Sequence, residues 1–195
     1  MTEPNGEIPS FSGEPLGRER SIQMTENELG EHLAHLVWEN FSDDLSDPHP
    51  EGVLKSSGLQ EEDGLPEERV ASELLIFLLW AHTRAVQLAF LGTPDEIHLK
   101  ETLDAMHRAF FLDMRENGLP ASQLPLFEQQ VSARYSEYHA AASVSDAQLG
   151  AAVAAHLVQG PKRSEERKTL ASRLTERAIA LAHPLKDFLV EVTLR

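Results

Sequence analysis

Nine histidines and no cysteine set the chemistry open to this 195-residue chain. His82 follows eight consecutive apolar residues, Leu74 to Ala81, in the stretch "ELLIFLLWAHTRAVQLAF". An imidazole buried there without a partner would cost on the order of 2 kcal/mol or more. It should therefore bond a carbonyl or carboxylate, ligate a metal or haem, or contact a partner. "HLAH" places His32 and His35 three apart on one helical side. Asp95/His98 and Asp104/His107 repeat a D-x-x-H spacing that can chelate from one helix face. His82, Asp104 and His107 are accordingly the candidate metal ligands. Against them, a di-iron carboxylate bundle requires paired Glu-x-x-His motifs, and the chain contains none. The expectation is thus no metal, no cofactor and no catalytic residues.

Other chemistries leave still less trace. Without cysteine there is no thiolate nucleophile, thiolate metal site or disulfide. G-x-S-x-G, G-x-G-x-x-G and the P-loop are all missing. Carboxylates are abundant, but none sits in a recognisable apolar pocket where its acidity would be tuned for acid–base work.

Charge is uneven. Residues 1–68 hold 17 acids and 3 bases, residues 69–160 hold 10 and 6, and residues 161–195 hold 5 and 8, within a net charge of −15. Phosphate binding needs clustered Lys and Arg, so direct nucleic-acid binding is not expected. The one basic stretch, "PKRSEERKTLASRLTER", is interrupted by acids and reads as a solvated helix face. The N-terminal residues have no apolar core and no arginine enrichment, so a cytoplasmic location is expected.

The elements that must position these residues are all helical. Residues 1–24 carry prolines, glycines and serines and read as a disordered acidic tail. Thr25 with Glu28 forms a capping box. Leu29, Leu33, Val37 and Phe41 then recur every four residues, giving an amphipathic helical arm over 25–41. Residues 42–65 read as an acidic linker, which would make the arm detachable.

The helical domain proper spans 66–195. Its central helix, 66–91, has Arg69, Glu73, Trp80, Thr83, Arg84 and Gln87 on one side and an apolar remainder. Such a helix belongs in the middle of a bundle. Its apolar run, bracketed by Glu73 and Arg84, is too short for a membrane span of about 20 residues.

Thr93-Pro94 starts a third helix, capped by Thr93, that buries Leu99, Leu103, Met106, Phe110 and Met114. A fourth spans about 124–142, and a fifth about 146–159. A sixth, capped by Ser164, is expected to be kinked or interrupted at Pro184. No period-two strand pattern appears. The fold class is all-α: an irregular bundle of about five helices around the central one, with the N-terminal arm.

Residues 70–160 resemble the ubiquinol–cytochrome c chaperone family of bc1-complex assembly factors. The similarity rests on "LLIFLLWAHTRAVQL", "LKETLDAMHRAFFLDMRENGL", "SARYSEYHAA" with its Arg134 to Tyr138 spacing, and "AQLGAAVAAHLVQG". It implies an all-helical, non-enzymatic factor that holds newly made cytochrome b before assembly. Residues 1–65 lie outside it.

On this reading the partner is an apolar protein client, such as a nascent membrane protein. Trp80, Arg84, Arg134 and Tyr138 are the candidate partner-binding residues. The protein itself would not span the membrane but could work at its surface. Two alternatives stay open. One is a cofactor-binding helical bundle or enzyme built on buried histidines. The other is an oligomeric helical scaffold in which apolar faces meet a second copy.

Overall fold

A computed structural model describes residues 22–46, 68–158 and 164–195. Six helices make up nearly all of it. They are α1 (Glu26–Ser46), α2 (Glu68–Phe90), α3 (Leu99–Glu116), α4 (Leu124–Val144), α5 (Asp146–Leu157) and α6 (Ser164–Glu191). The all-α bundle expected from the sequence is the fold. Residues 1–21, residues 47–67 with most of the expected linker, the break at Gly160-Pro161 and the Ser164 side chain lie outside the described residues.

α2 is the centre. Leu74, Ile76, Phe77, Leu78, Leu79 and Val86 are fully buried, because the other helices pack around an element that is apolar over most of its circumference. By length and composition α2 is apolar enough to cross a membrane. Here 78% of that apolar window is covered by protein.

α1 is not a peripheral arm. Its capping box forms as expected: the Thr25 N–H donates to Glu28 Oε2 at 2.8 Å and the Glu28 N–H to Thr25 Oγ1 at 3.2 Å. The helix then runs five residues past Phe41 into the expected linker. Leu29, Leu33 and Val37 are fully buried. Trp38 stacks on Phe110 of α3, with centroids 5.0 Å apart and planes at 14°. At Gly30 the two backbones nearly touch, since a Cβ there would lie 2.5 Å from Ala105 Cβ and 2.7 Å from Met106 N. Only glycine permits that approach.

Three local expectations are corrected. Residues 22–24, expected in the tail, form β1 (Ile22–Met24), which pairs in parallel with β2 (Val192–Leu194). Such a three-residue strand is too short to show an alternation. Thr93-Pro94 opens a 3-10 turn (Pro94–His98) rather than α3 itself. The Thr93 hydroxyl donates backwards to the Phe90 carbonyl at 2.7 Å instead of capping. Finally, α6 runs unbroken through Pro184. Leu181, Leu185 and Leu189 are buried on its inner face, and that packing offsets the one backbone hydrogen bond proline removes.

Candidate functional site

The polar side of α2 does not face water. Over much of its length it meets α4 and α5, and Arg69, Glu73 and Thr83 find partners there. The Arg69 guanidinium donates to the carbonyls of His156 and Leu157, at the C-terminal end of α5, where unpaired carbonyls make cations favourable. The Glu73 carboxylate, with its side chain 4% exposed, accepts two hydrogen bonds from Arg134, at 2.8 and 2.6 Å, and one from Gln130 at 2.9 Å. Burial pushes its acidity toward the neutral form. The Arg134 hydrogen bonds and charge, with the Gln130 amide, outweigh that and hold the carboxyl below its ordinary range.

Thr83, His107 and Tyr135 form a second polar junction, joining α2, α3 and α4. His107 Nδ1 lies 2.8 Å from the Leu103 carbonyl, so it carries the proton and donates. Nε2 is then the acceptor and takes the Tyr135 hydroxyl at 2.9 Å. The same hydroxyl lies 3.0 Å from Thr83 Oγ1. Desolvation holds the His107 ring below its usual range despite the Leu103 bond and the Asp104 charge.

His82 is the core histidine that the sequence analysis requires to be partnered. It is 2% exposed, and its Nδ1–H donates to the Leu78 carbonyl at 2.8 Å. Asn40 Nδ2 approaches the other ring nitrogen at 3.5 Å, while Asn40 Oδ1 accepts from Arg177 at 3.1 Å. Burial pushes the ring down to about 4, against the Leu78 bond and assisted by the Arg177 charge.

This has a consequence for acid stability. Between pH 6.5 and about 4 the unfolded chain binds a proton at His82 that the folded chain refuses. Stability contributed by the neutral ring is therefore full above pH 6.5 and falls as pH drops toward 4, by roughly 3 kcal/mol in all. Chemical denaturation of wild type and His82→Gln at pH 7 and pH 4.5 checks this. The glutamine variant is expected to lose less stability over the same interval.

The metal candidates are thus dispersed. His82 and His107 both have their ring nitrogens engaged by protein atoms, and Asp104 is exposed and paired to Lys100 at 2.6 Å. Among the described residues no group of three or more metal-ligating side chains converges.

The partner-binding candidates divide. Arg134 and Tyr138 point inward: Arg134 neutralises Glu73, and Tyr138, fully buried, packs its ring edge against Trp80 with centroids 5.9 Å apart. An acid inside the bundle requires a cation, and Arg134 supplies it. Trp80 is 2% exposed, but what remains of its surface lines a half-open groove that Arg84 also borders.

The groove holds about 370 Å³. It exists because α2 and α6 face one another here with alanines, Ala81 and Ala85 against Ala178 and Ala182, which leave a gap that larger side chains would close. Leu149 of α5 and Ala142 of α4 complete the apolar lining. Leu88 and Ile179 form its lips, 54% and 43% exposed. Asp146 and His183 add polar edges. Periodicity within one helix carried no sign of this groove, since small residues on two distant segments make it. The chain matches no protein-family model, no curated protein and no solved structure.

Proposed function

We propose that this protein is a non-enzymatic chaperone or assembly factor that holds an apolar segment of a client protein in the groove between α2 and α6. The observation that carries the reading is the groove itself. It is an apolar concavity with two large aliphatic side chains, Leu88 and Ile179, turned outward at its lips. Exposed apolar surface continuous with a pocket is what a transient protein contact requires. The resemblance over residues 70–160 supports it and makes newly synthesised cytochrome b the client to try first, at the cytoplasmic face of a membrane.

A labelled 16-residue Leu/Ala-rich helical peptide tests the reading by fluorescence anisotropy. Wild type is expected to bind it, and Ile179→Glu, at an exposed position, to weaken binding at least tenfold with the melting temperature unchanged. No binding by wild type, or equal binding by the variant, would overturn the proposal.

A further inference from the structure

Resting on that reading, we infer that the client segment seated in the groove carries a carboxylate that pairs with Arg84. Arg84 is half-buried on α2 and borders the groove beside Trp80. Among the described residues no carboxylate comes within 4.0 Å of its guanidinium, and no hydrogen bond engages it. By contrast, Arg69, Arg134 and Arg177, in a chain of net charge −15, all hold specific oxygen atoms.

The charges around it are few. Asp146 lines the same groove outside ion-pairing distance, and His183 lies exposed at its edge. Desolvation, and then the Arg84 charge, hold the His139 ring below its usual range. A guanidinium partly stripped of water beside alanine and tryptophan is poised for a bidentate carboxylate. Aliphatic lips that extend beyond the cavity fit a peptide rather than a small free acid, which would leave Leu88 and Ile179 wet.

The test uses two versions of the labelled peptide, with one central Glu or with Gln in its place, against the full chain. The Glu peptide is expected to bind about tenfold more tightly, with the gap narrowing as salt rises. Arg84→Gln should abolish the gap while leaving the melting temperature unchanged, and Arg84→Lys should retain part of it. Equal affinities for the two peptides, or a gap that survives Arg84→Gln, overturns this inference and leaves the apolar groove standing. Failure of both peptides to bind overturns the function reading as well.

Discussion

A chain lacking residues 1–46 is expected to lose its cooperative thermal transition, not to gain an opened binding face. α1 places Leu29, Leu33 and Val37 in the core, each fully buried. Burying side chains of that size contributes roughly 1.5–3 kcal/mol apiece, against a net stability of about 5–15 kcal/mol for a whole domain. α1 is also tied to three other helices. Asn40 reaches His82 of α2, Trp38 stacks on Phe110 of α3, and Asp44 and Asn40 accept from Arg177 of α6. Removing it uncovers apolar surface on the central helix and strands a partly buried guanidinium. Leu33→Asp, which keeps the chain length, should act in the same direction by burying a carboxylate among apolar neighbours. Circular dichroism through a thermal ramp decides the matter. A truncated protein that melts as sharply and as high as wild type would show that α1 is dispensable to the core.

Arg134→Ala is expected to destabilise the protein by about 3–5 kcal/mol. The loss comes less from a missing attraction than from the Glu73 carboxylate left inside the bundle with Gln130 alone beside it. The companion experiment separates the two. Combining Arg134→Ala with Glu73→Gln removes the stranded charge, so the double variant should be more stable than Arg134→Ala alone. Urea denaturation at pH 7 of wild type, both single variants and the double variant gives the coupling directly. Additive losses would mean that the pair does not act as a buried unit. Because Glu73 is held below its ordinary range, the stability it contributes is full above that range and is lost as pH falls through its lowered value.

Helix positions were legible because a helix writes its own period into the chain. The apolar spacing in 124–142 and the Thr25/Glu28 box place α4 and α1 to within a few residues, and the run 66–91 announces a core rod with an inward imidazole. What failed were judgements about which surface a residue faces. Arg69, Glu73, Trp80 and Thr83 read as one side of α2, with no helix assigned to cover it. The matching set, Gln130, Arg134, Tyr135 and Tyr138, stands on α4 at the same helical spacing. The signal was present in both segments, since a helix apolar nearly all round has no reason to keep an acid at Glu73 unless a cation comes to it. Pairing them still required knowing that α4 lies against that side.

By itself, then, the sequence determined the helical class, the central rod and the need for a partner at His82, because those follow from local periodicity and from the cost of an unpaired buried polar group. Only the tertiary structure decided that α1 is core, that α6 crosses Pro184, that Arg134 is occupied and Arg84 is not, and that four alanines leave a groove. Each of these depends on which distant segments meet, and contacts between distant segments are chosen by the packing of the whole chain, not by the order of residues within any one helix.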